Sequence, residues 1–437
     1  MADTIFSLIK KEEQRQIEMI GLIPSENAVS PDVSAVLSSC LSNKYSEGYP
    51  GRRYYEGNQY IDQVENLAID RIKSLFDVPH VNVQPYSGSP ANLAIYFALM
   101  QPGDTLMGLQ LAMGGHLTHG HPKVTASGSF YNAVQYGVNS DAVIDFDEMA
   151  TLVNKTKPKV IVAGNTAYPF ELNFKKFRAV ADSVGAWLVA DISHVTGLVV
   201  AGEHPSPVPY ADVIMSTTHK TFRGPRGAMI LVTERGLQRD PDLAKKIDAA
   251  IIPGLQGGPH NATTAAIAIA AKEASTAQFR KYAKKIRSNA ATLAVSLLKQ
   301  GIQLVGGGTQ THLMVLDFTP IGVGLGTQIA HALDVAGIYA NRNTVPNEQG
   351  SPFYPSGLRV GTPLITTRGM GDTEMRQIAD WIVRVTEHVT TEQLPTDKKE
   401  RQAFLHHFKA QAAKDPVLKK IRTEVKALAS GFPLFQS

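Results

Sequence analysis

Short apolar runs alternate with amphipathic segments between about residues 80 and 235. The runs predicted to be strands are VNVQP, DTLMGL, NAVQYGV, KVIVAG, AWLVADIS, ADVIMST and AMILVT. Segments between them, such as SPANLAIYFALM and FKKFRAVADSVG, have the apolar spacing of helices. Nearly continuous apolar strands that alternate with helices predict a mostly parallel, seven-stranded sheet with helices on both faces. Ligands bind such sheets at the carboxyl ends of the strands.

The remaining segments predict two further parts of the chain. The N-terminal MADTIFSLIKKEEQRQ has the pattern of an amphipathic helix, and the stretch from Asn261 to Gln300 has no proline or glycine and is predicted to be one long helix. A second alternation, THLMVLDF, AGIYANRN and GLRVGTP, then begins. We therefore expect a helical arm at residues 1–20, a large domain at 21–275 and a smaller α+β domain at 276–437.

Charge and cysteine content exclude several classes of protein. The net charge of +4 is spread along the chain without a basic stripe, so no nucleic-acid partner is expected. The only cysteine, Cys40, excludes an intrachain disulfide and a zinc site built on several thiolates, and no other metal site is expected. The apolar segments are too short to span a membrane, and we expect a cytoplasmic protein.

A lysine and an aspartate each follow a predicted strand. Lys220, in MSTTHKTFRGPRGA, lies in a loop of small residues after ADVIM, where a buried amine could act as a nucleophile. A single lysine in a turn is more often only a surface residue. Asp191 ends the strand WLVAD, and either a pyridinium nitrogen or a helix amide could compensate its charge. Together the two residues favour a pyridoxal phosphate site.

Three further motifs could complete such a site. Ser87 and Ser89 precede a helix in QPYSGSPAN, which suits either phosphate binding or simple capping. His116 follows two glycines and could stack on a flat ring or be an ordinary loop residue. Arg359 in GLRVGTP could bind a carboxylate or form an inter-domain ion pair. Glu47 lies in a tyrosine-rich arm that suits packing, a subunit interface or a site.

These motifs, in this order, resemble those of the serine hydroxymethyltransferase family, which has the fold-type I architecture of pyridoxal phosphate enzymes. The matching segments cover nearly the whole chain and are LIPSEN, NKYSEGYPGRRYY, QPYSGSPAN, GGHLTHG, VADISHVTGL, TTHKTFRGPRG, PGLQGGP, NRNTVPN and SPFYPSGLRVGTP. The resemblance implies reversible transfer of the serine hydroxymethyl group to tetrahydrofolate, giving glycine and 5,10-methylenetetrahydrofolate. It also implies a place in one-carbon metabolism and amino-acid biosynthesis.

The resemblance also implies roles for particular residues. Lys220 would hold pyridoxal 5'-phosphate as an aldimine, and the residues that would act with it in catalysis are Glu47, His219, Asp191 and His116. The other cofactor-binding residues would be Ser87, Gly88, Ser89, Thr166 and His194, with Tyr45 and Gly258 reaching the phosphate from a neighbouring subunit. Substrate would be held by Ser25 and Arg359, with Glu47 and Tyr55 from the partner. Folate contacts would be Leu111, Gly115, His116, Leu117, Asn343, Ser351, Pro352 and Phe353.

A site shared in this way implies a homodimer or a tetramer. The sequence departs from the family pattern at Pro24, Glu56, Tyr86, Pro90 and Met113, which leaves folate affinity and the preferred one-carbon donor open. An aldolase, an enzyme that uses α-methylserine and a non-catalytic binding protein are the alternatives.

Overall fold

The computed structural model describes residues 3–122, 124–391 and 394–435. The first two residues of the predicted arm and the last two residues of the predicted small domain therefore lie outside the described residues. The strands are β1 (Ile20–Gly21), β2 (Gly48–Tyr49), β3 (Arg52–Arg53), β4 (His80–Asn82), β5 (Thr105–Leu109), β6 (Asn132–Tyr136), β7 (Val160–Gly164), β8 (Trp187–Asp191), β9 (Val213–Thr217), β10 (Ala228–Val232), β11 (Gln303–Leu304), β12 (Leu313–Asp317), β13 (Ile338–Tyr339), β14 (Asn341–Asn343) and β15 (Gly357–Gly361).

Helices connect most of these strands. They are α1 (Thr4–Glu18), α2 (Pro31–Leu37), α3 (Gln59–Phe76), α4 (Gly88–Leu99), α5 (Ala126–Phe130), α6 (Phe146–Thr156), α7 (Phe174–Val184), α8 (Thr196–Val200), α9 (Glu234–Arg239), α10 (Leu243–Ala249), α11 (Asn261–Ala274), α12 (Ala277–Lys299), α13 (Gly326–Val335), α14 (Pro363–Thr367), α15 (Asp372–Val389), α16 (Lys398–Ala412) and α17 (Pro416–Ser430). Among the described residues, no helix is long and apolar enough to cross a membrane.

The chain divides into two compact units. The large unit comprises Val29–Thr166 and Phe170–Lys284. The small unit comprises Met1–Ala28, Ala167–Pro169 and Lys285–Ser437. This division differs from the predicted ranges mainly at the N-terminus, where residues 1–28 group with the C-terminal part of the chain. The reason is local pairing, since β1 forms a parallel pair with β13.

All seven predicted strand segments between residues 80 and 235 form one sheet in the large unit, in the order β4-β10-β9-β8-β7-β5-β6. Neighbouring strands from β9 to β6 are parallel, and β10 is antiparallel to both β9 and β4. Successive residues of β7, β8 and β9 are buried, so both faces of the sheet are covered. This arrangement explains why these strands are apolar along most of their length, with polar residues at the carboxyl ends of β8 and β9.

The small unit has its own four-stranded sheet and core. The sheet has the antiparallel order β11-β12-β15-β14. Its core includes Leu316 and Val360 from the sheet together with Trp381 from α15 and Ile20 from β1. The packing of Ile20 in this core holds the segment that leads to Ser25 within the small unit.

The prediction of one long helix over residues 261–300 is wrong, because α11 ends at Ala274 and α12 begins at Ala277. The break lies at Ser275 and Thr276. The hydroxyl of Thr276 accepts a hydrogen bond from the amide of Phe279 at 3.2 Å, and it donates to the Glu273 carbonyl at 2.7 Å. A threonine in this position caps a new helix, which allows a break without glycine or proline.

Candidate active site

Lys220 lies in the loop that follows β9, at the carboxyl end of a central strand. Its amine donates a hydrogen bond to the hydroxyl of Thr217, the last residue of β9, at 2.9 Å. The methyl group of the same threonine packs against the start of α4, where a Cβ on Gly88 would lie only 2.7 Å from Thr217 Cγ2. The lysine is therefore connected through one residue to the N-terminus of α4.

Asp191 ends the neighbouring strand β8 and is buried. Its Oδ2 atom accepts hydrogen bonds from His119 Nε2 at 2.8 Å and from Asn92 Nδ2 at 3.0 Å, and its Oδ1 atom accepts one from the Ser193 amide at 3.1 Å. Burial alone would raise the pKa of Asp191, but the hydrogen bonds from His119 and Ser193 and the nearby imidazoles hold that pKa well below its usual range. The carboxylate is thus a permanent buried anion with room for a fourth donor.

His116 belongs to the same hydrogen-bond network. The amide of Thr118 donates to His116 Nδ1 at 3.1 Å, and the Thr118 hydroxyl is 2.7 Å from the same nitrogen. Asn92 Nδ2 donates to that hydroxyl at 2.8 Å, so the hydroxyl can direct its own proton towards His116. These contacts assign the proton of a neutral His116 to Nε2.

The start of α4 supplies the groups expected to bind a phosphate. Ser87 precedes the helix with an extended backbone, and its hydroxyl makes no capping hydrogen bond. The amides of Gly88 and Ser89 are the first of the helix, where backbone N–H groups lack partners within the helix and attract anions. Pro90 follows at a position where the missing N–H costs little.

Two further predicted site residues, His194 and His219, are near Asp191 and Lys220 in the sequence. His194 is buried three residues after Asp191, and its carbonyl accepts a hydrogen bond from the Thr221 hydroxyl at 2.9 Å. This bond ties the loop after β8 to the loop that contains Lys220. Burial, together with the charges of Lys220 and Arg226, lowers the pKa of His219 to about 3, so its imidazole is neutral at physiological pH.

The glycine-rich loop after β5 contains the predicted folate-side residues of the large unit. Leu111 lies in a short 3₁₀ segment, and Leu117 is exposed. Gly115 accepts a hydrogen bond from the hydroxyl of Thr166 at 2.6 Å through its carbonyl. A Cβ at Gly115 would lie 1.9 Å from the Leu109 carbonyl, so only glycine fits there. Thr166 therefore contacts the loop that presents His116.

Tyr45, Glu47, Tyr55 and Gly258 form a second cluster in the large unit. The Tyr55 hydroxyl donates to the Glu47 carboxylate. Partial burial and this hydrogen bond raise the pKa of Tyr55 to about 12, which keeps the phenol protonated. Gly258 packs on the ring of Tyr45, where a Cβ would be 2.8 Å from Tyr45 Cε1. The predicted partner-directed residues thus lie together on one surface.

Arg53 holds this arm in place. Its Nη1 atom donates to the carbonyls of Ser46 and Gly48, both at 2.8 Å, which flank Glu47 on either side. Its Nη2 atom binds the buried Glu65 at 2.6 Å. A guanidinium can make such bonds in several directions at once, so Arg53 fixes the backbone on both sides of Glu47.

Ser25 and Arg359 lie on adjacent segments of the small unit. The amide of Gly361 in β15 donates to the carbonyl of Leu22 at 2.7 Å, which joins the strand of Arg359 to the segment that leads to Ser25. Arg359 Nε donates to Asn341 Oδ1 at 3.1 Å. Burial lowers the pKa of Arg359 to about 10, so the guanidinium is still charged at neutral pH.

The remaining predicted folate residues lie at the end of β14 and in the loop that leads to β15. Asn343 ends β14, Ser351 forms a bridge with Tyr354, and Pro352 and Phe353 lie between them. The side chain of Phe353 is 79% exposed, which leaves its ring available to a ligand.

Glu348 organises this loop. Its carboxylate accepts hydrogen bonds from the amides of Gly350 and Ser356, both at 2.8 Å, and from the Ser356 hydroxyl at 2.6 Å. A carboxylate with several donors from one loop holds that loop in a single conformation.

The sequence analysis missed His119, Asn92, Arg53 and Glu348. His119 is fully buried and lies in the same GGHLTHG motif as His116, which is the one signal that could have identified it. Its approach to Asp191 requires glycine at position 164, because a Cβ there would be 2.7 Å from Asp191 Cβ and 3.1 Å from His119 Cε1. These contacts join segments distant in sequence and leave no local pattern.

A mostly parallel sheet with a buried anion, a lysine and a helix N-terminus at the carboxyl ends of its strands defines the fold-type I class. The sequence model of the serine hydroxymethyltransferase family matches residues 1–382. The serine hydroxymethyltransferase of Acidothermus cellulolyticus is 58% identical over 384 residues, which are 88% of each chain. The chain belongs to the serine hydroxymethyltransferase family, which confirms the predicted resemblance and fold class.

Two other relatives carry the same name. The serine hydroxymethyltransferase of Desulfotalea psychrophila is 50% identical over 429 residues, covering 98% of this chain and 93% of the relative. That of Sorangium cellulosum is 54% identical over 389 residues, covering 89% and 90%. The similarity therefore extends over nearly the whole length of the chain.

Proposed function

We propose that this protein catalyses the reversible transfer of the hydroxymethyl group of serine to tetrahydrofolate, giving glycine and 5,10-methylenetetrahydrofolate, with pyridoxal 5'-phosphate as cofactor. The observation that carries the proposal is the placement of Lys220 and Asp191 at the carboxyl ends of neighbouring strands, next to α4. Enzymes of the family to which the chain belongs use this cofactor and tetrahydrofolate.

The residues of the large unit fit the cofactor. Lys220 would bind its aldehyde carbon, and the α4 N-terminus with Ser87, Gly88 and Ser89 would bind its phosphate. Asp191, which can accept a fourth hydrogen bond, would bind its pyridine nitrogen. The imidazole of His116 would stack on the ring, with Thr166 and His194 beside it. When bound, the cofactor supplies an electron sink for the bond that breaks between Cα and Cβ of serine.

The side chains provide charge, orientation and proton transfer. Because the pKa of Asp191 lies well below its usual range, its carboxylate would keep a proton on the pyridine nitrogen throughout the reaction. The low pKa of His219 means that its imidazole stays neutral beside Lys220, so it does not add a second positive charge there. Arg359 and Ser25 would bind the carboxylate of the amino acid.

We assign the proton transfer at the serine hydroxyl to Glu47. Its carboxylate accepts a hydrogen bond from the Tyr55 hydroxyl, so it is oriented as a hydrogen-bond acceptor. We further propose a homodimer in which Glu47, Tyr55, Tyr45 and Gly258 act at the site of the partner subunit. The high exposure of Tyr45, at 65%, supports an interface at this surface.

The residues that we propose as tetrahydrofolate contacts are those implied by the family resemblance, and they form two groups along the chain. In the large unit these are Leu111, Gly115, His116 and Leu117, which share one loop. In the small unit they are Asn343, Ser351, Pro352 and Phe353. An exposed phenylalanine and an asparagine amide suit an aromatic pterin ring, which needs both stacking and hydrogen bonds.

Visible absorbance of the purified protein tests the proposal. The wild-type protein should acquire an absorbance band of bound cofactor when pyridoxal phosphate is added, and Lys220→Ala should not. Glycine and tetrahydrofolate added together should produce a further band at longer wavelength that neither produces to the same extent alone. A cofactor band that does not respond to tetrahydrofolate would favour an aldolase or an α-methylserine enzyme. No cofactor band at all would refute the proposal.

A further inference from the structure

Tyr86 connects two loops of the large unit. It immediately precedes Ser87, and its hydroxyl donates to the carbonyl of Gly258 at 2.8 Å. Its ring stacks on the imidazole of His260, with the ring centroids 4.3 Å apart and the planes within 9° of parallel. Tyr86 therefore contacts Gly258 and His260, the residues before and after Pro259.

A second side chain reinforces this connection. Gln256 accepts a hydrogen bond from the amide of Tyr86 at 3.0 Å and donates to the carbonyl of Gln84 at 2.9 Å. Residues 256–260 are thus attached to residues 84–86 by three hydrogen bonds and one ring stack.

Fixing this loop has a consequence for Gly258. The segment contains Gly257 and Gly258 in succession, and two glycines leave the backbone with the greatest conformational freedom. The hydrogen bond from Tyr86 restrains the Gly258 carbonyl, and packing on Tyr45 restrains its Cα. These two restraints narrow the conformations open to the Gly257–Gly258 segment, so less of that segment has to be ordered when a ligand binds.

We infer that Tyr86 is a positioning residue that orients the Gly258 amide towards the cofactor phosphate of the partner subunit. The inference rests on the proposed function, in which Gly258 reaches that phosphate. Tyr86 itself directly precedes the phosphate-binding residues of its own subunit. Tyr86 is therefore next to the phosphate-binding residues of its own subunit in the sequence, but we expect it to affect the phosphate bound by the partner subunit.

The test compares Tyr86→Phe with the wild-type holoenzyme. The substitution removes the hydroxyl and keeps the ring that stacks on His260. Loss of one neutral hydrogen bond predicts cofactor affinity about 2- to 10-fold weaker, together with a changed ³¹P NMR shift of the bound phosphate. The matched control is Tyr136→Phe, which also removes a hydroxyl that donates to a backbone carbonyl, that of Val162, at 2.9 Å. The control should leave the ³¹P shift unchanged.

Mixed dimers show on which site Tyr86 acts. In a dimer of a Tyr86→Phe subunit and a Lys220→Ala subunit, the covalently loaded site receives its Gly258 loop from a subunit with an intact Tyr86. That site should have wild-type affinity. When both substitutions are in one subunit and the other is wild type, the loaded site receives the altered loop, and its affinity should be weakened.

Three outcomes would overturn the inference. An unchanged affinity and ³¹P shift in Tyr86→Phe would show that the hydroxyl does not position the phosphate contact. Weakening in the first mixed dimer and not in the second would place the effect within one subunit. If Tyr86→Phe fails to fold, His260→Ala should give a smaller change of the same kind, and no change would count against the inference. Absence of cofactor binding by the wild-type protein would instead refute the proposed function.

Discussion

Replacement of His119 by phenylalanine should destabilise the large unit far more than the loss of an ordinary histidine–aspartate contact. His119 is fully buried and donates to Asp191 at 2.8 Å. A hydrogen bond to a charged group contributes about 1.5–3 kcal/mol, and the loss is at the upper end when the charge stays buried. We therefore expect the free energy of unfolding to fall by about 2–3 kcal/mol and the pKa of Asp191 to rise.

The chain offers a matched control for this change. His388 contacts Asp415 with the same atoms at 2.9 Å, but the two side chains are 35% and 25% exposed. Because water screens that pair, His388→Phe should cost less than about 1 kcal/mol. His119→Gln, which keeps a donor, should recover part of the stability lost in His119→Phe.

The assay uses the two tryptophans of the chain. Trp187 lies in β8, the strand of Asp191, and Trp381 lies in α15 of the small unit. Urea unfolding followed by fluorescence of Trp187, in a Trp381→Phe background, reports the large unit, and the reverse background reports the small unit. Equal costs for His119→Phe and His388→Phe would refute the argument that burial makes the Asp191 contact strong.

Substitutions at three residues near the site should each change a different measurable property. Arg53→Lys keeps the charge but loses the planar fork that holds the peptides around Glu47, so kcat with serine and tetrahydrofolate should fall about tenfold. Glu348→Gln weakens the acceptor that organises the loop after β14, so steady-state kinetics should show KM for tetrahydrofolate raised about fivefold, with KM for serine unchanged. Folding lowers the pKa of His219 from 6.5 to about 3. Between pH 7 and pH 5 the imidazole therefore takes up a proton in the unfolded state and stays neutral in the folded state. The free energy of unfolding of the apoprotein should fall by about 1–2 kcal/mol over that range. His219→Asn should remove this pH dependence from urea titrations.

Each of these predictions has a control or an outcome that contradicts it. Arg52→Lys, at the exposed neighbouring position, should leave kcat unchanged, and an equal loss in both arginine variants would refute the role of Arg53. A parallel rise in KM for serine and for tetrahydrofolate would show that Glu348 supports more than the folate loop. An unchanged pH slope in His219→Asn would mean that His219 is not the group whose protonation opposes folding.

The central strands of the large sheet could be predicted because both of their faces are buried. Strands buried on both faces need apolar side chains at most positions, and this produces a strong signal in the sequence. The placement of Lys220 and Asp191 followed from the same pattern, since the carboxyl ends of adjacent parallel strands meet at one edge. The pairing of β4 with β10 had no such signal, because the two strands are separated by well over a hundred residues.

Other features depend on contacts that the sequence does not reveal. The role of His119 requires the loop after β5 to fold back onto the end of β8, and Gly164 permits this only through its position in three dimensions. The break between α11 and α12 depends on a threonine hydroxyl, and threonines also occur within helices. The grouping of the N-terminal segment with the small unit depends on β1, a strand of two residues that is too short to show periodicity.

The transfer of labelled carbon from serine tests the central claim most directly. The protein, loaded with pyridoxal phosphate, is incubated with [3-¹³C]serine and tetrahydrofolate and followed by ¹³C NMR, with Lys220→Ala as control. We predict that the label appears in 5,10-methylenetetrahydrofolate, that unlabelled glycine forms in equal amount, and that the control forms neither. Release of the label as formaldehyde at a rate independent of tetrahydrofolate, or no loss of serine at all, would contradict the proposed function.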